Sequence, residues 1–115
     1  MQWNKLNSED QVNQILEESK LTPVLIFKHS NRCSISRVAL DRLERKWNAE
    51  ELGNLKLYFL DLLSYREISH KIASQFGVRH ESPQVLVIEN GQSVYNQSHW
   101  GIDYERILEV SKRPR

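Results

Sequence analysis

An α/β fold with a central mixed sheet of four to five strands and helices on both faces is what this sequence predicts, and three observations carry the prediction. Two short apolar runs, at residues 24–27 and 55–61, flank an amphipathic stretch long enough for a helix, the succession that makes parallel strands joined by a crossover. The dipeptide Asn90-Gly91 separates two more strand-like segments and adds an antiparallel hairpin, since both residues tolerate positive φ. Helical periodicity precedes, separates and follows these strands, giving the order α, β, α, β, α, β, β, α.

Each element has its own signal. Ser8 followed by Gln11 has the form of a capping box, and Val12, Ile15 and Leu16 continue at helical spacing, so a helix is expected over residues 8–19. Pro23 ends that pattern, and Val24-Leu25-Ile26-Phe27 is the continuous apolar run of a strand covered on both faces. A polar stretch follows, His29-Ser30-Asn31-Arg32-Cys33-Ser34. From Ile35 onward Val38, Ala39, Leu43 and Trp47 form an apolar stripe against Arg37, Asp41, Arg42, Arg45 and Lys46, which predicts a second helix interrupted by Gly53 and Asn54. Leu55-Lys56-Leu57-Tyr58-Phe59-Leu60-Asp61 reads as the next buried strand. Ser64 with Glu67 forms a second capping box, and Ile68, Ile72 and Ala73 carry a third helix to its stop at Gly77. Residues 84–89 and Ser93-Val94-Tyr95 are the hairpin strands, and Asp103 caps a last helix bearing Ile107, Leu108 and Val110. A strand near residues 3–6 would make the fifth.

The 115 residues fit one domain, residues 1–115, with a core that needs no disulfide. A net charge of +1 lacks the basic footprint of a nucleic-acid binder, and the tail formed by Lys112, Arg113 and Arg115 is too short to change that. No apolar run approaches the roughly 18 residues of a membrane span, so no membrane partner is expected. The start, Met1-Gln2-Trp3-Asn4-Lys5, lacks the succession of a secretory signal, and a cytoplasmic location is expected. With a single cysteine and four scattered histidines, no paired spacing marks a metal site, and none is expected.

That cysteine is the chemical signal. Cys33 follows a buried strand and precedes an amphipathic helix, which puts its sulfur near free N–H groups and the positive end of the helix dipole. Arg32, Arg37 and Lys28 add positive charge nearby, and Ser36, three residues on, is placed to donate to a thiolate. Helix starts and cationic neighbours bring cysteine pKa values from about 8.5 into the range of roughly 3.5 to 7.5. A free cysteine is more often a packed and inert residue. Here Asn31, Arg32 and Ser34 are not core residues, and Cys33 falls at a junction of elements rather than on an apolar stripe, which favours reactivity.

The strand, Cys-x-x-Ser, helix succession resembles the thioredoxin superfamily, and so does Phe76-Gly77-Val78 leading through Ser82-Pro83 to Val85-Leu86-Val87-Ile88-Glu89-Asn90-Gly91. More narrowly, Phe27-Lys28-His29-Ser30, Arg32-Cys33-Ser34-Ile35-Ser36 and His80-Glu81-Ser82-Pro83-Gln84 are similar to the monothiol bacilliredoxin (YtxJ-like) family. Arg32 and Ser34 stand where that family often has Thr and Pro, and the loop from Gly77 to Pro83 is one residue longer than in thioredoxin. The resemblance implies a thioredoxin-like fold, a cis bond at Ser82-Pro83, and a monothiol oxidoreductase. Cys33 would take bacillithiol, or a similar low-molecular-weight thiol, from mixed disulfides on S-thiolated client proteins. Arg32, Ser34 and Ser36 would stabilise the thiolate, and Ser82 and Pro83 would dock the client. No bound cofactor is implied; the small thiol is a co-substrate, and a monomer is expected.

His29 and His80 are further candidates for touching the substrate, the first through the Cys33 loop and the second through the proline loop, although surface histidine is the common alternative. His29 and Cys33 lie across a strand-to-loop junction rather than on one helical face, so a preformed Cys-His pair is not implied. Trp100-Gly101 is a candidate for lining a partner groove. Two other readings use the same fold, a noncatalytic protein-binding adaptor and an iron-sulfur carrier like monothiol glutaredoxins. An inert, buried Cys33 would favour the first. The absence of a glycine-aromatic pair between Cys33 and Ser36 counts against the second.

Overall fold

A computed structural model describes residues 2–112; Met1 and residues 113–115, with Arg113 and Arg115 of the basic tail, lie outside the described residues. Five strands, β1 (Asn4–Lys5), β2 (Val24–His29), β3 (Lys56–Asp61), β4 (Gln84–Glu89) and β5 (Gln92–Ser98), form one sheet in the order β1-β3-β2-β4-β5. β1 and β2 run parallel to β3, whereas β4 is antiparallel to β2 and β5. The helices are α1 (Asp10–Glu18), α2 (Ser34–Lys46), α3 (Ala49–Leu52), α4 (Arg66–Phe76) and α5 (Tyr104–Ser111), with a 3-10 turn at His99–Gly101. The mixed α/β sheet with helices on both faces is therefore present.

Alternation along the strands makes two cores. Leu25, Phe27, Leu57, Val85 and Val87 point to one face and pack with Ala39 and Leu43 of α2, Leu52 of α3, and Ile107 and Val110 of α5. Val24, Ile26, Tyr58, Leu60, Leu86 and Ile88 point to the other, where Val12 and Ile15 of α1 and Ile68 and Ile72 of α4 cover them. The hairpin turn has Asn90 and Gly91 at φ of 50° and 74°, the positive values that the Asn-Gly pair supplies at low cost. Its amides are clasped to the end of α1: Asn90 N donates to the Ser19 carbonyl at 2.8 Å and Gly91 N to the Ser19 hydroxyl at 2.9 Å.

Four local expectations are corrected. At the first helix only half of the capping box forms, the Gln11 side chain accepting from Ser8 N at 3.0 Å, and the helix begins at Asp10. Ser64 and Glu67 make no box, because the Ser64 hydroxyl donates to the Asp61 carboxylate at 2.9 Å and the fourth helix starts at Arg66. In α2 the buried face is Ser36, Ala39 and Leu43, while Val38 is exposed. Between α2 and β3 the chain makes the extra helix α3, capped by the Asn48 side chain, which accepts from Glu50 N and Glu51 N. Asp103 caps α5 as expected, accepting from Glu105 N at 3.3 Å.

Candidate active site

Cys33 is the N-cap residue of α2, with extended backbone at φ −103° and ψ 116°. It is partly exposed, its N–H donates to the Ser30 carbonyl at 3.1 Å, and its carbonyl accepts the Arg37 amide at 3.2 Å. Its side chain starts from the entrance of the helix, where the first-turn amides have no intrahelical partner, and makes no cap hydrogen bond to them. No acidic residue occupies the first turn of α2, and Arg32 and Arg37 are exposed with no ion pair among the described residues. Ser34, the first helical residue, is exposed beside them.

Ser36 lies lower. It is fully buried, and its hydroxyl sits 2.7 Å from His29 Nδ1 while accepting the Ser30 amide at 3.1 Å. His29 Nε2 lies 2.9 Å from Asn31 Oδ1, an oxygen that can only accept, so Nε2 carries the ring proton and Nδ1 receives the Ser36 hydroxyl. A closed polar ring thus braces the loop from which Cys33 projects. The Ser36 hydroxyl, expected from the sequence to donate to the Cys33 thiolate, is instead engaged with His29 and the Ser30 amide. Burial lowers the His29 pKa, and the Asn31 bond and the Asp61 charge oppose that. Its ring also packs against Phe59 and Phe27, with centroids 5.3 and 6.1 Å away. Desolvation of a ring that already holds two bonds favours the neutral form.

Ser82 and Pro83 are joined by a cis peptide bond immediately before β4. Because β4 is antiparallel to β2, with Gln84 opposite Lys28, the start of β4 and the end of β2 share one end of the sheet. The proline turn and the Cys33 loop both leave from that end. The Pro83 carbonyl accepts the His99 amide at 3.0 Å, which brings in the 3-10 turn carrying the exposed Trp100. The Ser82 hydroxyl is buried without a hydrogen-bond partner among the described residues.

His80 and Lys28 belong to a different cluster. Lys28, whose charge the sequence places around the sulfur, is fully buried on the α4 side of the sheet, its ammonium 3.4 Å from both the Ser69 carbonyl and His80 Nδ1. The Ser69 hydroxyl lies 3.0 Å from the same ring nitrogen. The sequence gives no sign of Ser69, nor that Lys28 is buried against it instead of lying near Cys33. Among the described residues no three His, Cys, Asp or Glu side chains come together as a metal site, and no helix is long and apolar enough to cross a membrane.

Comparison with known proteins adds two results. The sequence model of the family described as monothiol bacilliredoxin BrxC matches residues 4–107. A solved protein with a thioredoxin fold, put forward as an oxidoreductase, superposes with a TM-score of 0.78 at 34% identity, over 94% of this chain and 92% of that one. The thioredoxins of Malassezia sympodialis and Fasciola hepatica share the fold at 16% and 17% identity, with TM-scores of 0.72 and 0.71. They cover 95% and 97% of this chain, and the matches span 87% and 99% of their own lengths.

Proposed function

This chain belongs to the monothiol bacilliredoxin family, and from that premise we propose that it is a thiol-disulfide oxidoreductase freeing client proteins of bacillithiol through Cys33. The observation that carries the proposal is the setting of the only cysteine, partly exposed at the start of α2 beside two cations with no ion pair among the described residues. A reactive thiol needs access and an electropositive surrounding, and this one has both. A fully buried Cys33 would have favoured the adaptor reading.

In the first step the Cys33 thiolate attacks the bacillithiol sulfur of a client mixed disulfide. A sulfur-sulfur bond forms between Cys33 and bacillithiol, the old bond breaks, and the client leaves as its thiolate. Without a second cysteine the chain cannot expel the small thiol, so a second low-molecular-weight thiolate attacks the adduct, regenerates Cys33 and departs as the symmetrical small disulfide. Over the full cycle the client mixed disulfide and one free small thiol give the client thiol and the symmetrical small disulfide, and the protein ends unchanged. Arg32 and Ser34 line the approach to the sulfur, and Ser36, with His29, braces the loop behind it. Ser82 and Pro83 offer the docking edge for the client, with His80 on the loop leading to it, and the protein works in the cytoplasm as a monomer.

Intact mass after separate exposure to bacillithiol disulfide and glutathione disulfide tests this reading. One bacillithiol adduct on the wild type, none on Cys33→Ser, and release by added thiol are expected. A wild type that takes up neither thiol rules the activity out, and preferential uptake of glutathione reassigns the co-substrate.

A further inference from the structure

A lysine is almost never fully buried unless something pairs with it. Lys28 is at 0% exposure, and the groups within hydrogen-bond reach of its ammonium are the Ser69 carbonyl and the ring of His80. Both are neutral acceptors. An ammonium can only donate, so the nitrogen it faces must be bare, and its single lone pair is shared between the ammonium at 3.4 Å and the Ser69 hydroxyl at 3.0 Å. His80 is therefore held as the neutral ring with its proton on Nε2, Nδ1 turned inward, and the rest of the residue exposed. The chain from His80 to Pro83 spans three peptide bonds, and Gln84 ties the same loop from the other side by donating to the Arg79 carbonyl at 2.9 Å.

We propose that Lys28 is a positioning residue for client exchange: together with the Ser69 hydroxyl, its buried ammonium keeps His80 Nδ1 bare and turned inward, and so holds the loop leading into Ser82 and Pro83 in the form that receives the client. This rests on the exchange activity proposed above. Charges that face His80 are Lys28 from β2, His70 from α4 and Glu81 from its own loop; burial and Lys28 press its pKa down, His70 adds to that, and Glu81 opposes it. Glu81 is in turn 4.0 Å from His99 on the 3-10 turn. Protonating His80 sets a ring N–H against the ammonium and breaks the clamp. Client docking should therefore weaken as pH falls through the His80 titration, while attack of Cys33 on a small disulfide, which needs no docking loop, should not follow that profile.

The test compares wild type with Lys28→Met, using a client protein thiolated with bacillithiol and, separately, bacillithiol disulfide alone. Lys28→Met is expected to raise KM for the client about tenfold, the weight of one lost docking interaction, with kcat and the small-disulfide rate within about twofold of wild type. Histidine NMR supplies a readout that does not depend on turnover: the wild-type ring should show the Nε2–H tautomer, and its midpoint should rise in Lys28→Met, which removes the Lys28 charge and leaves the burial. An Nδ1–H tautomer in the wild type, an unmoved His80 midpoint, an unchanged client KM, or equal losses toward client and small disulfide would each overturn the assignment. A wild type inert toward both substrates overturns the exchange activity itself, and is told apart because the Nε2–H tautomer and the shift of the His80 midpoint in Lys28→Met are still seen.

Discussion

Lys28 sets a cost that stability measurements can read. Burial lowers its pKa from 10.5 to about 8. Between those values the unfolded chain binds a proton that the folded chain does not, so stability rises with pH across that interval, and below it the full cost is present. At about 1.4 kcal/mol for each tenfold change, the cost is on the order of 3 kcal/mol at neutral pH. Lys28→Met removes the charge while the Ser69 hydroxyl still satisfies His80 Nδ1. The variant is expected to be more stable than wild type at pH 7 by about 1–3 kcal/mol, a gap that narrows toward pH 10. Urea unfolding at the two pH values measures it, and a variant less stable at pH 7 would contradict the account. The sequence hides this residue, because a lysine at the end of an apolar run has the same pattern whether it meets water or a histidine fifty-two positions away.

Among the elements, those with local chemical signals were legible and those made by tertiary contacts were not. Asn90-Gly91 specifies its hairpin through backbone freedom alone, and Cys33 lands at the N-cap because a buried strand ends just before an amphipathic helix begins. The helix α3 has four residues, too few for a period, whereas β1, with two, falls inside the strand expected near residues 3–6. Ser36 carries no apolar signal, yet it takes the buried place that the pattern awards to Val38, because His29 and the Ser30 amide lie under it. At the site, the sequence shows which residues flank Cys33 but not the buried contacts of Ser36 with His29 and the Ser30 amide. For α3, stability comes from its cap, the Asn48 side chain accepting two amides while its own N–H donates to the Tyr104 hydroxyl at 3.1 Å. Asn48→Ala should cost about 1 kcal/mol, seen as a lower denaturation midpoint with an unchanged slope. A cost below a few tenths would show that packing of Leu52 alone holds the turn.

At the scale of the whole molecule, two histidines make the protein acid-sensitive. His29 and His80 both titrate below the ordinary value of 6.5, each chiefly because it is desolvated. As pH falls below 6.5 the unfolded chain takes up protons before the folded one does, so stability declines until the folded rings are protonated as well. Urea midpoints should therefore fall between pH 7 and pH 5, above the range in which carboxylates titrate at about 4. His80→Asn should flatten part of that slope, and an equally steep decline in the variant would assign the effect elsewhere.

The clasp between Ser19 and the hairpin turn has a consequence for motion. Hairpin tips are ordinarily among the first backbone groups to trade their protons with solvent, since little covers them. Here the amides of Asn90 and Gly91 donate to a fully buried serine seventy-two residues away in sequence from Gly91, so freeing them requires the end of α1 to lift from the sheet. In deuterated water these two amides should lag behind other turn positions and be lost together with those at the end of α1, as one opening unit. Exchange as rapid as that of an open turn would mean that the clasp loosens independently of the helix. Slow, joint exchange would make the first helix a latch on the β4–β5 hairpin.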